Sequence, residues 1–123
     1  MSALSDNVFD NGLNYIINNT EKLYLLSDDP GLTWSNIAAY ALGSKASPSI
    51  GAPANRSGGG REVTVAAIND GNVTGDGTAT HYALTKDSNS EIIAAGPLDA
   101  SQGVSNGNTF TLTAFTVGIP DPA

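Results

Sequence analysis

The chain has 123 residues, 40% of them hydrophobic, and its five Lys or Arg against twelve Asp or Glu leave a formal charge of −7. That length predicts a single domain, and the acidity excludes the basic stripe that nucleic-acid binding requires. With no cysteine, disulfides, thiolate nucleophiles and Cys-ligated metals are excluded too.

Much of the apolar fraction is alanine, so the core should be thin and the fold should lean on neighbouring copies. No apolar run approaches the roughly 18 residues that cross a bilayer, and no membrane partner is expected. The start, MSALSDNVFD, carries acids where a signal peptide would carry basic and then apolar residues, so no export signal is expected.

Leu4, Val8, Phe9, Leu13, Ile16 and Ile17 fall near one helical face and predict a helix over residues 2–18. Ser2 or Ser5 would cap it, Asp6 would sit near its positive end, and Gly12 would weaken or break it. Lys22 to Ser27 is a short apolar run that reads as a buried strand, closed by the turn residues Asp28-Asp29-Pro30-Gly31. Thr33 to Gly43 reads as a second short helix, capped by Thr33 or Ser35 and ended by Gly43 in the left-handed conformation. Trp34, the only tryptophan, would then stand at the helix start near Tyr40. It reads as an anchor for the core, with ligand stacking as the alternative.

Pro48 to Gly60 has no periodicity and is built of Gly, Pro, Ser, Ala and Asn, which predicts a loop or extended arm. Loops of this length usually contact something else, and this one is expected to order on assembly. Four strands should follow, over 62–69, 78–86, 91–95 and 109–117. Asn69-Asp70-Gly71 and Gly75-Asp76-Gly77 would bracket the first connection, and Lys86 to Ser90 would make the second. Pro97 to Asn108 reads as a polar crossover between sheets, and residues 118–123 as an extended tail that includes Pro120. The expected fold is mainly β: an antiparallel, sandwich-like single domain with a short N-terminal helix and an extended arm.

Motifs for chemistry are sparse. His81 is the only histidine, sits in a predicted strand and has no serine or acid beside it in a nucleophile motif. Gly43-Ser44-Lys45 lacks the order of a phosphate loop. Asp70-x-Asn72-x-Thr74-x-Asp76 places oxygens at alternate positions, with Gly75 sixth, as a calcium loop does. The bidentate glutamate of the twelfth position is replaced by His81, so a turn is the better reading. A carboxylate pair for sugar hydrolysis would have to meet in space rather than in sequence. No cofactor is expected.

Arg56 and Arg61 flank the glycine run and, on an acidic protein, are candidates for pairing with carboxylates of a partner or neighbouring subunit. Together with Trp34 and Pro120 they form the candidate partner-binding set. An exposed platform of Trp34, Tyr40 and Tyr82 would instead suit carbohydrate.

The segments SDNVFDNGLNYI, TWSNIAAYALGSK, SIGAPANRSGGGREVTVAAI and GNTFTLTAFTVGIPDPA span nearly the whole chain. Their texture resembles a family of small structural proteins of tailed bacteriophages. The resemblance implies a non-catalytic virion protein that decorates or cements the capsid surface. Its implied partners are the major capsid protein and neighbouring copies of itself, as a symmetric oligomer. Many weak contacts suffice on a repeating lattice, because linked sites raise effective concentration.

Overall fold

A computed structural model describes residues 4–121. Helix α1 spans Asp6–Asn19 and buries Phe9, Leu13 and Ile16. Ser5 is its N-cap residue but makes no side-chain cap bond, and Ser2 lies outside the described residues. The helix runs unbroken through Gly12, where an added Cβ would meet Ile119 at 3.5 Å. The strand that follows, β1 (Lys22–Leu26), is the buried strand expected there.

The second helix is shorter than its sequence suggests. Helix α2 covers only Ser35–Tyr40, with Trp34 at its N-cap and no side-chain cap from Thr33 or Ser35. From Ala41 to Ala46 the chain is strand β2, pairing antiparallel with β1. Gly43 therefore ends no helix. It pairs with Val73 in the sheet, and a Cβ there would fall 3.2 Å from the Phe110 ring and closer still to the Asn72 carbonyl oxygen.

The expected arm is a strand-bearing hairpin. β3 (Ala54–Asn55) pairs with β4 (Arg61–Val65), and Gly58, Gly59 and Gly60 make the turn between them at positive φ. Upstream, Gly51 N–H donates to the Thr64 carbonyl and Ala66 N–H to the Ser49 carbonyl. Backbone groups of the arm thus satisfy the free edge of β4 within one chain.

The strands expected at 62–69 and 109–117 are each two strands. β4 is followed after Ala66-Ala67 by β5 (Ile68–Val73), and β8 (Thr109–Leu112) after Thr113-Ala114 by β9 (Phe115–Ile119). Val65 pairs with Phe115 and Ile68 with Leu112, so the ribbon keeps one register across the corner while passing from one sheet to the other. Such corners are how sandwiches let a strand serve two sheets. Asn69, Asp70 and Gly71, expected in a turn, lie within β5. Gly71 fits there because the Phe110 ring occupies the place of its missing side chain.

β6 (Gly77–Lys86) and β7 (Glu91–Val104) form a long hairpin through the one-turn 3-10 helix η1 (Asp87–Asn89). Pro97 to Val104, expected to cross between sheets, stays paired with β6 apart from a wide bulge. The result is a six-stranded sheet in the order β7-β6-β1-β2-β5-β8 and a three-stranded sheet in the order β3-β4-β9, every pairing antiparallel. The fold is mainly β, with a curled antiparallel sheet and a short N-terminal helix in a small single domain.

Side-chain alternation divides the interior in two. Leu23 and Leu25 of β1, Val63 and Val65 of β4, and Leu13 and Ile16 of α1 share the larger cluster. Leu26, Ile37, Ala83 and Ile92 form the smaller one, beneath Trp34 and Tyr40.

Candidate functional site

Strands β7 and β8 are the two edges of the six-stranded sheet. Curling brings them together across a cavity of about 470 Å³ lined by Tyr82, Pro97 to Gln102, and Thr111 to Thr113 with Phe115. The Gln102 side-chain amide spans the seam and donates to the Thr111 carbonyl at 2.8 Å. Further along, the Asp76 carboxylate accepts the Asn106 backbone N–H at 2.7 Å.

The bulge of β7 creates the opening. Ala79 pairs with Gln102 and His81 with Pro97, so Leu98 to Ser101 are crowded opposite Thr80 alone. A bulge bends its strand away from the partner ladder. Tyr82 pairs with Gly96, and its ring lies against that glycine, where a Cβ would meet the hydroxyl at 3.0 Å. The same ring packs on Phe115 with centroids 4.3 Å apart and planes tilted by 43°. Burial raises the Tyr82 phenol above its ordinary value. Asp99 is the one carboxylate among the lining residues, is exposed, and has no cation within ion-pair distance among the described residues.

The β8 side of the seam continues into β9, which is itself the edge of the three-stranded sheet. One unpaired edge thus runs from Thr109 to Ile119. It contains no charge and no proline, and from Ala100 to Pro120 the sequence has no Asp, Glu, Lys or Arg at all. Natural edges are usually blunted by such residues. That charge-free run is the sequence signal for this site; the alternation within it marks strands, but only the topology marks an edge.

Of the sequence-derived candidates, Arg56, Arg61 and Pro120 come together where the β3–β4 hairpin meets the end of β9, while Trp34 lies on the smaller core cluster. Arg61 of β4 finds its carboxylate within the chain, on helix α1: Nε and Nη2 donate to the two Asp10 oxygens at 3.0 and 3.1 Å, and Nη1 to Asn55 at 2.8 Å. Arg56 donates to the Gly59 carbonyl at 3.1 Å and has no carboxylate within ion-pair distance among the described residues. Trp34 and Tyr40 are half-buried on the smaller cluster, whereas Tyr82 packs against the larger one, so the three make no common platform. Pro120 is exposed where the chain passes over Gly60; Pro122 and Ala123 lie outside the described residues.

The calcium-like run is pulled apart by strand β5. Asp70 pairs with Lys45 at 3.0 Å, while Asp76 holds the Asn106 turn. Among the described residues no three His, Asp or Glu side chains converge as a metal site. The His81 Nδ1 lies 2.8 Å from the Thr80 hydroxyl, which itself donates to the Ser27 carbonyl.

A denser polar cluster stands at the other end of β1 and β6. Tyr24 and the fully buried Thr85 each donate to Asp87 at 2.6 Å, with Lys22 at 3.5 Å. Burial opposes the Asp87 charge, but the bonds from Thr85 and Tyr24 and the charge of Lys22 outweigh it and hold the carboxyl below its ordinary value. Burial and the Asp87 contact push the Tyr24 phenol up to about 12. Every group here is satisfied within the chain, which marks a structural knot.

Comparison with protein-family models, curated proteins and solved structures finds no match.

Proposed function

We propose that the chain is a virion structural protein of a tailed bacteriophage, a capsid decoration or cement protein. It binds the major capsid protein and neighbouring copies of itself on the outer head surface, as a homo-oligomer, and catalyses nothing. The observation that carries this reading is the unpaired, uncharged edge from Thr109 to Ile119 beside an open seam. A strand edge of that length without charge or proline is a template for pairing with another chain, and pairing through main-chain groups is a recurring mode of attachment. The sequence texture described above and the acidic surface, which repels packaged DNA, add their support.

The test is made on purified phage heads, by mass spectrometry and by density on the particle surface. The chain is expected at a lattice-fixed copy number with β8 and β9 against capsid protein. Replacement by a Thr113→Lys form, which places a charge on the edge, is expected to lower occupancy. Heads without the chain, or heads fully occupied by the variant, would overturn the proposal.

A tail- or fibre-borne carbohydrate-binding module is the second reading. Its support is the Tyr82 ring in the seam with Asp99 and Gln102 nearby. A retained sugar on a glycan array, lost in Tyr82→Ala, would select it.

A further inference from the structure

The two lips of the seam differ in what they offer. β7 is blunted: Pro97 lacks an N–H and the bulge from Leu98 to Ser101 breaks its ladder. The β8 lip holds no proline, although its ladder to β5 also shifts register, between Ile68 and Gly71. The Thr111 carbonyl bonds Gln102 across the seam; Phe110 and Leu112 on either side pair with Gly71 and Ile68 of β5, so the Thr111 N–H between them turns toward the seam as well. A side-chain amide, which can rotate away, thus holds the place of a main-chain donor.

At about 3.3 Å per residue β8 extends about 10 Å from Thr109 to Leu112 before the corner, room for about four residues of guest strand. Apolar side chains on one face of that guest would meet Leu98, Leu112 and the Tyr82–Phe115 pair. At the rim the exposed Asp99 calls for a cation. A second copy of this chain answers poorly, because its own uncharged edge supplies none and it brings another −7 of charge.

We propose that the seam receives an extended segment of a partner protein, paired antiparallel with β8, alternating in polarity and carrying a Lys or Arg set against Asp99. The proposal rests on reading the seam as an attachment surface and adds the chemistry of what enters it. Insertion displaces the Gln102 amide from the Thr111 carbonyl.

The probe is an end-blocked nonapeptide, Lys-Thr-Val-Thr-Val-Thr-Val-Thr-Lys, titrated into the isotope-labelled full chain and followed by amide chemical shifts. Shifts are expected at Leu98 to Gln102 and Thr109 to Phe115. A twin with Glu at both ends should bind about tenfold more weakly, and Asp99→Asn should weaken the Lys peptide about threefold. Thr111→Pro, which removes the outward N–H, should abolish binding. Thr113→Lys should weaken it with the circular dichroism unchanged, which covers the case of a misfolded proline variant. No shifts at millimolar peptide, equal binding of both twins, saturation of the same amides by a glycan, or a concentration-dependent dimer that buries the seam would each overturn the proposal. Occupancy on heads that falls with Thr113→Lys while the peptide stays unbound would reject the strand guest and leave attachment standing. Peptide binding by a chain missing from heads would do the reverse.

Discussion

Strands β1 and β8 are both short strands of the same sheet and have opposite fates. β1 lies between β6 and β2, with Leu23 and Leu25 buried on one face and Leu26 on the other. Its own Tyr24 and the neighbouring Thr85 are both tied to Asp87. β8 has a partner on one side only; Phe110 is buried, but Thr109, Thr111 and Thr113 are exposed. The difference teaches that a strand threonine is a closed core element, as Thr85 of β6 is, or an open edge element, as Thr111 of β8 is, depending on where the ladder stops. Stability is concentrated in the first region, and the proposed attachment in the second.

The widest gap between the two should appear on truncating a leucine in each. Leu23→Ala leaves a cavity at a fully buried site and should cost about 2–5 kcal/mol. Leu112→Ala, half-buried at the seam, should cost less than about 1.5 kcal/mol. Urea unfolding of the two variants measures both, and equal losses would erase the contrast.

A smaller effect is expected at the knot. Asp87→Asn should destabilise by about 1–2 kcal/mol at neutral pH, the range for hydrogen bonds to a charged group that is partly solvent-screened. Because the Asp87 pKa is lowered on folding, its contribution is present above the ordinary carboxylate pKa and is lost as pH falls below about 4. The Tyr24 phenol is raised on folding, so its contribution holds below about pH 10 and is lost as pH rises toward 12. Stability against pH should therefore decline at both ends, and Asp87→Asn should flatten the acid decline.

The smallest stability effect belongs to the edge. Thr113→Lys changes an exposed side chain and should shift stability by no more than about 0.5 kcal/mol. The same substitution should weaken whatever pairs there, so unchanged denaturation beside reduced peptide binding would sharpen the division between the two regions.

Much of the fold was legible in residue patterns. The 3.6-residue spacing of Phe9, Leu13 and Ile16 marked α1, and the alternation around Tyr82 and Leu84 marked β6. Misreadings arose where a local cue had a distant cause. Gly43 and Gly71 look like punctuation, yet both lie in strands beneath the Phe110 ring, a contact made from residues far along the chain. Arg61 looked free because Asp10, which binds it, is 51 residues away. The seam was the least visible, since neither Gln102 nor Thr111 carries a motif.

By itself the sequence determined composition, charge and local period, and through them a β-rich chain opened by one amphipathic helix. Those properties depend on near neighbours, and near neighbours are what a sequence records directly. Strand order, the corner at Ala66-Ala67 and Thr113-Ala114, and the bare edge that follows from them were decided only by the tertiary structure. Whether a backbone N–H is paired or open depends on which strand lies beside it, and that is settled when the sheet curls and stops.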